Sequence, residues 1–408
     1  MSFSSLGLSP SILSIIDGMD YKLPTSIQTK AIPAILQGKD VLAAAQTGTG
    51  KTAAFSLPMV QRLSKGSRVK PNRVRSLVLV PTRELAVQIE QSIKVICNAF
   101  QLHSYAAFGG VKINPQMMAL RQGTDVLVAT PGRLLDLHKQ NAIQFIHLEI
   151  FVLDEADRML DMGFKDELEK IISLLPKQRQ NLMFSATFSD DIRILAKRIA
   201  SEPIEISVDP ENNTATLVEQ WLYPVDENRK SALLSHLIKN NNWQQVLVFC
   251  KTKQGANKIV QYLNKKNIKA VAIHGDKSQG ARTRALSEFK SGTSSVLVAT
   301  DLAARGLDIN QLPQVVNYDL PHTTEDYIHR IGRTGRAGLS GEAISLVCAN
   351  EFSKLSEIER LIKKLIIRKH IKAFMPIKAL PESKLDTRPI KPKKPKKPKK
   401  PKKLKQPK

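Results

Sequence analysis

IFVLDEAD, Ile150 to Asp157, joins four consecutive apolar residues to three carboxylates within four positions. The apolar run predicts a short strand that is buried on both faces, as in a parallel sheet. Asp154, Glu155 and Asp157 would then repel one another and resist desolvation unless a metal ion, a basic neighbour or a bound ligand offsets their charge. The residues alone leave a second interpretation open, a solvated acidic turn that opens a helix, because early carboxylates suit the helix dipole.

Short apolar runs, each followed by a polar turn and a helical pattern, recur on both sides of this stretch. They lie at 41–45, 76–80, near 105, 125–130 and 181–187, and again at 245–250, 270–275, 295–300, 314–320 and 343–348. This alternation predicts α/β domains with doubly wound parallel sheets, whose functional residues follow the carboxyl ends of the strands. The polar stretch between the two sets predicts a linker, placed at 209–219. We therefore expect domains at 1–208 and 220–370, with an extension and tail at 371–408.

The segment AQTGTGKT, Ala45 to Thr52, follows one of these strands and precedes a helical pattern. It resembles GxxxxGK[ST] with alanine in place of the first glycine, in the strand, loop and helix order that the motif requires. Backbone N–H groups around Gly48 and Gly50 would face phosphates, Lys51 would reach the outer phosphates, and the Thr52 hydroxyl would ligate Mg²⁺. A flexible Gly/Thr turn without a ligand is the alternative.

The N-terminal residues predict two amphipathic helices ahead of this loop. The first lies within residues 4–20, with Ser9 and Pro10 at its start, and the second runs from Gln28 to about residue 36. Tyr21 and Gln28 could stack on a base and hydrogen-bond to it. A half-buried tyrosine and an exposed glutamine are the simpler interpretation.

The chain carries a large and uneven surplus of positive charge. Sixty-two Lys and Arg against 37 Asp and Glu give a net charge of +25, and residues 390–408 contain 11 Lys and no acid, so the remainder carries 25 − 11 = +14. This balance indicates a polyanionic partner, either nucleic acid or an anionic surface. The KPKK repeat beyond Pro389 cannot bury apolar surface, which predicts a disordered tail that binds the polyanionic partner, or else only solubilises the chain.

Other compositional signals narrow the class of protein. The three cysteines are far apart and lie in or beside apolar runs, which predicts core packing and favours neither a disulfide framework nor a zinc site. The start MSFSSLGLSP has no basic, apolar signal pattern, and no apolar run reaches the length of a membrane span. We therefore expect a cytoplasmic protein that does not bind membranes.

The second half lacks a glycine-rich phosphate loop but contains ATDLAARGLDI, at 299–309, and YIHRIGRTGRAG, at 327–338. Spacings of three and four would place much of the basic charge on one helical face, formed by His329, Arg330, Arg333 and Arg336. The interspersed glycines argue against a long helix and favour a tight functional turn. Further on, an amphipathic basic helix is predicted from residue 351 to about residue 371.

Taken in order, these stretches resemble the DEAD-box RNA helicases of superfamily 2 over about residues 1–370. The N-terminal ten residues and the lysine-rich tail are most similar to the bacterial RhlE-type branch. The resemblance implies two RecA-like domains that close together on ATP and single-stranded RNA. It also implies Mg²⁺ as cofactor, a monomer, and ribosomal particles or RNA-decay machinery as further partners.

The same resemblance assigns a nucleotide site. The residues expected to bind ATP are Phe3, Tyr21, Thr25, Gln28, Ala45, Gln46, Thr47, Gly48, Thr49, Gly50, Lys51, Thr52, Gly306, Asp308, Arg333 and Arg336. The expected catalytic residues are Glu155 as general base, with Lys51, Asp154, His329 and the arginine fingers Arg333 and Arg336. Mg²⁺ is expected at Thr52 and Asp154, and coupling between nucleotide and RNA is expected through Asp157, Ser185 and Thr187.

The RNA contacts that the resemblance implies lie on both domains and offer backbone amides, hydroxyls or guanidinium groups. They are Pro81, Thr82, Arg83, Gly110, Thr130, Gly132 and Arg133 in the first domain, and Thr252, Gly275, Gln279, Arg282 and Thr300 in the second. Such groups bind sugar and phosphate, so we expect little sequence specificity. Ser26 stands where the family usually has a second proline, a departure that could loosen the loop carrying Tyr21 and Gln28.

Three functions fit this pattern. The leading one is an RNA-stimulated ATPase that separates short RNA duplexes locally and without processivity, by bending one strand on domain closure. The second is an ATP-gated RNA clamp or assembly platform, which the sequence barely distinguishes from the first. The third is a DNA translocase. It is disfavoured because SAT, at 185–187, and HRIGRTGR, at 329–336, resemble the RNA helicases and not the DNA helicases of this two-domain plan.

Overall fold

The computed structural model describes residues 2–19, 21–45, 49–186, 188–208, 218–304, 307, 309, 312–335 and 341–386. It contains two seven-stranded sheets in which the strands pair in parallel with their neighbours. Residues up to 208 build the first sheet and its helices, called the first domain, and residues 218–386 build the second domain. The predicted class, two doubly wound parallel α/β units in tandem, is confirmed.

The first sheet has the strand order β3-β4-β2-β5-β6-β1-β7. Its strands are β1 (Val41–Ala44), β2 (Val74–Leu79), β3 (Ser104–Ala107), β4 (Thr124–Ala129), β5 (Ile150–Leu153), β6 (Gln180–Ser185) and β7 (Ile204–Ser207). Its helices are α1 (Pro10–Gly18), α2 (Ser26–Leu36), α3 (Lys51–Leu63), α4 (Arg83–Ala99), α5 (Ile113–Leu120), α6 (Pro131–Lys139), α7 (Ala156–Asp161), α8 (Lys165–Leu174) and α9 (Asp190–Ile199).

The strand that opens the DEAD stretch is the middle strand of this sheet. All four residues of β5 are buried, and β5 pairs with β2 on one side and β6 on the other. Helices cover both faces of the sheet, which explains why β5 is apolar throughout and does not alternate with polar residues. Since parallel strands end at a common edge, the residues that follow β1, β2, β4, β5 and β6 meet there.

The second sheet has the order β10-β11-β9-β12-β13-β8-β14. Its strands are β8 (Val218–Pro224), β9 (Val246–Cys250), β10 (Ala270–Ile273), β11 (Val296–Thr300), β12 (Gln314–Asn317), β13 (Gly341–Val347) and β14 (Ile367–Arg368). Its helices are α10 (Lys230–Asn240), α11 (Lys253–Lys265), α12 (Gln279–Lys290), α13 (Asp301–Ala304), α14 (Thr324–Ile331) and α15 (Phe352–Ile362). Clusters of buried apolar side chains lie around this sheet as they do in the first domain.

The first predicted helix is α1, which begins at Pro10 after the Ser9 cap as expected, and a short 3-10 helix (Phe3–Leu6) precedes it, with Gly7 between them at φ 82°. Other predicted boundaries were wrong. Residues 218 and 219 belong to β8 and not to the linker. The helix predicted to reach residue 371 ends at Ile362, because Lys363 adopts the left-handed conformation at φ 54°. The remaining linker (209–217) and the tail from residue 387 lie outside the described residues.

Residues 366–386, called the strap, continue the fold into the region predicted as an extension from residue 371. β14 pairs with β8, and the Lys369 ammonium lies 3.5 Å from the centre of the Trp221 ring. The Arg368 guanidinium then donates to the carbonyls of Leu380 and Pro381 at 3.1 and 2.6 Å. These contacts fix the strap along one side of the second domain. No helix of the described ranges is long and apolar enough to cross a bilayer.

Candidate functional site

The loop between β1 and α3 lies where the sequence predicts a phosphate site. Ala45 and Thr49 flank it, and Gly50 caps α3 at φ 87°, a left-handed conformation that favours glycine. Thr25 donates to the Thr49 carbonyl at 2.8 Å and the Gln28 amide donates to the Gly50 carbonyl at 3.2 Å. A Cβ on Gly50 would collide with that amide. The N-terminal segment therefore packs directly on the loop, whose residues Gln46, Thr47 and Gly48 lie outside the described part of the chain.

Lys51 and Thr52 begin α3 at this loop. The Lys51 side chain is 6% exposed, and its ammonium has no hydrogen-bond partner among the described residues. A buried, unpaired ammonium is unfavourable unless an anion compensates it. A phosphate at the N-terminus of α3 would supply that anion.

The carboxylates of the DEAD stretch face the same region. Asp154 is 3% exposed, and burial raises the pKa of this carboxyl to about 6, although the positive charge of Lys51 opposes the rise. A divalent cation next to the Asp154 carboxylate would favour its ionised form and so lower this pKa. No group of three or more His, Cys, Asp or Glu that could hold a metal was found in the described ranges. Mg²⁺ bound to phosphates needs only one or two carboxylates, so Asp154 and the Thr52 hydroxyl fit such an ion.

Glu155 occupies an unusual backbone position. It caps α7 at φ 54° and ψ 47°, the left-handed region that non-glycine residues rarely adopt, and it is 5% exposed. Its Oε2 lies 3.3 Å from the Arg158 guanidinium, at an angle that makes an ion pair but no hydrogen bond. The backbone at Glu155 is therefore strained, and backbone strain of this kind is common at functional positions.

Asp157 reaches the end of the neighbouring strand. Its carboxylate accepts a hydrogen bond from the Ala186 backbone at 3.2 Å, directly after β6. Ser185, the last residue of β6, is fully buried and pairs with Ala44 just ahead of the phosphate loop. Asp157 thus contacts the SAT segment as the resemblance implies, whereas Thr187 lies outside the described residues.

The second domain brings its basic stretch to this site. A cavity of about 20 Å³ between the domains is lined by Arg158 of the first domain and by Phe249, Asp301, Ala304, Asp326, His329, Arg330 and Arg333 of the second. Burial lowers the pKa of His329 to about 4, and the Arg158 charge acts in the same direction. Arg333 is 7% exposed and donates to the Leu307 carbonyl at 3.1 Å. Gly306, Asp308 and Arg336 lie outside the described residues.

The shared basic face predicted for this stretch was wrong. α14 ends at Ile331, so Arg333 follows the helix, and Gly335 at φ 67° turns the chain as its glycines suggested. Arg330 is buried and clamped by both oxygens of Asp301 at 2.5 and 2.7 Å. It also donates to Asn317 at 3.0 Å, and its guanidinium lies over the Phe249 ring. Arg330 therefore links α14 to the start of α13 and to the end of β12 within the second domain.

Phe3 and Tyr21 form an aromatic pair beside the phosphate loop. Their ring centroids are 6.4 Å apart with an interplanar angle of 39°, and Phe3 is buried while Tyr21 is 44% exposed. An exposed aromatic ring supported from behind suits stacking on a base. The Gln28 side chain, expected to read the base edge, donates to the Gly50 carbonyl and accepts from the Thr25 backbone N–H, the latter at 2.9 Å.

The expected RNA contacts of the first domain lie at the carboxyl edge of its sheet. Pro81, Thr82 and Arg83 connect β2 to α4, Gly110 follows β3, and Thr130, Gly132 and Arg133 begin α6. Thr82 caps α4 through its hydroxyl, and Gly110 at φ 78° leaves room for the Arg83 guanidinium. Arg133 donates to Gln116 at 2.9 Å and to the Val111 carbonyl at 2.8 Å, so it also fixes the loop after Gly110.

The corresponding residues of the second domain lie on the matching edge. Thr252 caps α11, Gly275 follows β10, Gln279 and Arg282 lie in the first turn of α12, and Thr300 ends β11. Gln279 donates to Glu84 of the first domain at 3.1 Å, and Arg282 forms an ion pair with the same carboxylate at 3.0 Å. The two edges are therefore joined by direct contacts between α4 and α12.

Sequence reasoning missed two residues of this site. Arg158 directly follows Asp157 and stands three residues after Glu155, a helical spacing that could have marked it as the partner of that carboxylate. Glu84 lies in PTREL, residues 81–85, but a carboxylate among expected RNA contacts gave no signal for contact with a second domain. The contacts that Arg158 and Glu84 make with the second domain span distances in sequence that spacing does not reveal.

Comparisons with known proteins agree with this geometry. The profile of the DEAD/DEAH box helicase family matches residues 25–195, and the helicase conserved C-terminal domain matches residues 229–338. The chain is 43% identical to the DEAD-box ATP-dependent RNA helicase RhpA of Helicobacter pylori, over 88% of this chain and 72% of that protein. It is 41% identical to the DEAD-box ATP-dependent RNA helicase CshA of Geobacillus kaustophilus, over 90% and 78%. The structure of S. cerevisiae Dbp5 bound to RNA and ADP BeF3 matches with TM-score 0.79 and 34% identity, over 90% of this chain and 95% of that one.

Proposed function

Because this chain belongs to the DEAD-box ATP-dependent RNA helicases, we propose that it couples RNA-stimulated ATP hydrolysis to local, non-processive separation of short RNA duplexes. It would remodel RNA–protein complexes by the same cycle. The observation that carries the proposal is the meeting of charged groups from both domains: Arg158 lies beside His329 and Arg333, and Glu84 binds Gln279 and Arg282. Neither half of the site is complete without the other.

In the first domain the phosphates would bind at the N-terminus of α3. Lys51 would neutralise their charge, and Thr52 and Asp154 would hold Mg²⁺, which supplies charge stabilisation to the transferred phosphoryl group. Glu155 would accept a proton from the attacking water, since it is buried beside Asp154 and its Oε2 accepts no hydrogen bond from the described residues.

The second domain would complete the reaction. Arg333, together with Arg336, would stabilise the charge of the transition state as an arginine finger, an effect of roughly 10³ to 10⁵ in rate. Because these arginines lie on a different domain from Lys51 and Glu155, hydrolysis would require domain closure. RNA bound across both edges would favour closure and so stimulate turnover.

Strand separation would follow from the same closure. The expected contacts on both edges are backbone amides, hydroxyls and guanidinium groups, which bind sugar and phosphate and do not read bases. A single strand held on both edges would be bent as the domains close, and a bent strand cannot remain in a regular duplex. Separation would therefore be limited to the few base pairs next to the site.

The first test replaces Glu155 by Gln. We expect turnover to fall by at least ~10²-fold, as for loss of a general base, while ATP and RNA remain bound. Steady-state hydrolysis and an RNA-binding assay with ATP measure the two effects. Glu167→Gln on α8 is the control, an acid on another helix that should change neither. Undiminished hydrolysis by Glu155→Gln would refute the assignment of the base.

A strand-displacement assay then distinguishes the alternatives. A protein that stays on RNA with an ATP analogue but separates few duplexes would be the ATP-gated clamp. Stronger stimulation of hydrolysis by DNA than by RNA would indicate a DNA translocase. The RhlE branch, the monomeric state, the cytoplasmic location, and ribosomal or RNA-decay partners stay predictions.

A further inference from the structure

A buried glutamine late in α3 joins the N-terminal segment to the helix of the phosphate loop. The Gln61 Oε1 accepts from the Ser9 backbone N–H at 2.7 Å, and the Gln61 Nε2 donates to the Gly7 carbonyl at 3.2 Å. Gln61 is 7% exposed. One amide thus bonds to Gly7, whose φ of 82° forms a left-handed turn, and to Ser9, two residues later.

That turn sets the position of the aromatic pair. The 3-10 helix that carries Phe3 ends at Leu6, immediately before Gly7, and α1 begins at Pro10, immediately after Ser9. Phe3 is buried behind the exposed Tyr21 ring. A shift at residues 7–9 would therefore move the support of the face proposed to stack on the base.

The other end of α3 holds the proposed phosphate contacts. Lys51 begins the helix, and Gln61 follows ten residues later, a rise of about 15 Å along one rigid element. Two further bonds tie α3 to the same N-terminal region: Gln28 to the Gly50 carbonyl, and Arg62 to the Ile35 carbonyl at 3.2 Å. One helix therefore fixes both the phosphate end and the base end of the nucleotide site.

We propose that Gln61 is a positioning residue for adenine recognition, which holds the Phe3–Tyr21 pair at a set distance from the phosphate loop. The inference rests on the proposed function, because it assumes that this pair contacts the base of ATP. Gln61 acts through the backbone of residues 7–9 and touches neither nucleotide nor metal. None of the sequence motifs included it.

Replacing Gln61 by Leu tests the proposal. The variant leaves the Ser9 N–H and the Gly7 carbonyl without their partner and frees the segment to shift. We expect the KM for ATP to rise about 3- to 30-fold, the range that loss of such hydrogen bonds gives, with kcat nearly unchanged. The KM for GTP should change little, because a displaced adenine pocket weakens only the base-specific part of binding. The preference for ATP over GTP therefore falls.

Two variants separate positioning from folding. Gln180→Leu removes a second buried glutamine, whose amide donates to the carbonyls of Ile35 and Lys39 at 3.1 and 2.6 Å, far from the aromatic pair. It should lower thermal stability and leave the ATP/GTP preference intact. Gln61→Glu keeps an acceptor for Ser9 but loses the donor to Gly7, so its preference should lie between those of wild type and Gln61→Leu.

A double-mutant cycle with Phe3→Ala identifies the route of action. If Gln61 acts through Phe3, the two effects on the KM for ATP do not add, whereas independent sites would add. A shift in KM with Phe3→Ala but none with Gln61→Leu would overturn the inference and leave the proposed function standing. Wild-type protein that hydrolyses no ATP in the presence of RNA would overturn the proposed function itself.

Discussion

Arg330 and Arg333 lie three residues apart and have different roles in the structure. Both line the cavity between the domains, but Arg330 bonds to Asp301 through two hydrogen bonds inside the second domain. Arg333 donates to the Leu307 carbonyl at 3.1 Å and is the proposed arginine finger. A spacing of three cannot separate these roles, because it assumes a continuous helix that in fact ends between the two residues.

Conservative replacement should distinguish the two arginines. Arg330→Lys cannot reproduce the planar double contact and leaves Asp301 poorly compensated, so we expect a loss of roughly 3 kcal/mol in the free energy of unfolding. Arg333→Lys alters the buried hydrogen bond to the Leu307 carbonyl, so we expect a smaller loss of about 1 kcal/mol, but it should reduce RNA-stimulated hydrolysis by at least ~10²-fold. Urea unfolding and steady-state ATPase measurements test both. Equal loss of stability in the two variants would contradict this division.

His329 should make the closed arrangement sensitive to acid. Its folded pKa of about 4 lies below the unfolded value of 6.5, so the folded protein resists protonation. The neutral, buried His329 therefore costs no stability above about pH 6.5. As pH falls from 6.5 to about 4, the free energy of unfolding decreases by on the order of 2 to 3 kcal/mol. Arg158 and Arg333 face the ring as cations, and Asp157 and Asp326 oppose them.

The measurement is the pH dependence of unfolding for wild type and His329→Asn. We expect the variant to lose less stability than wild type between pH 6.5 and 4, since its side chain does not titrate. His322→Asn, at an exposed histidine just before α14, should follow wild type. A His329→Asn curve parallel to the wild-type curve would show that another group controls this window.

Residue types in the sequence were sufficient to locate the phosphate loop and the DEAD carboxylates, because strand, loop and helix patterns surround them. They did not reveal that Gln28 also contacts the backbone of this loop, and its expected role in reading the base stays a prediction. Arg158 was missed for a related reason. Arg158 lies against residues of α14, which is more than 160 residues away in the chain, and no local sequence pattern indicates such a contact.

At the level of elements, α4 and α12 provide a polar contact between the two edges that are expected to bind RNA. Glu84 in the first turn of α4 meets Gln279 and Arg282 in the first turn of α12. Burial lowers the pKa of Arg282, and the Glu84 charge opposes that shift. The hydrogen bond and the ion pair at Glu84 therefore help to hold the two edges in register.

Replacing Glu84 by Ala should weaken closure. Arg282 would keep a buried charge without its partner, so we expect the RNA concentration for half-maximal ATPase to rise by about 10-fold. ATP binding without RNA should not change, because the described contacts of Glu84 are with Gln279 and Arg282 of the second domain. Lys94→Ala, an exposed residue of the same helix, is the control. Unchanged RNA dependence in Glu84→Ala would mean that the contact does not contribute to closure.

Element types were predicted better than element ends. The strands were located because parallel strands buried on both faces read as continuous apolar runs. The last helix was predicted nine residues too long, since Leu365 and Ile366 continue its apolar period although Lys363 has already left the helix. β14, only two residues long, is defined by pairing with β8 and has no signature of its own.

At the scale of the whole molecule, the strap and the tail should contribute differently. A truncation after Asp386 removes the basic tail and leaves every described contact in place. We expect unchanged thermal stability but weaker RNA binding with a flatter salt dependence, each neutralised phosphate contributing about −0.7 to the log–log slope on single strands.

A truncation after Leu365 removes the strap as well. It uncovers Trp221 and breaks the pairing of β14 with β8, so we expect the second domain to unfold at lower temperature. Calorimetry and salt-dependent RNA binding on both truncations separate the effects. A salt slope unchanged by loss of the tail would mean that the tail only solubilises the chain.

β14 has a further consequence for how the chain avoids self-association. Without it, β8 would be the outer strand of the second sheet, and its free N–H and C=O groups could pair with the edge of another molecule. β14 covers Trp221 and Leu222, the Lys369 N–H extends the pairing to the Leu222 carbonyl at 2.8 Å, and Arg368 and Lys369 add positive charge there. The edge therefore stays open until residues 366–369 have been synthesised and have paired with β8. Chains that end before β14 should be the aggregation-prone species.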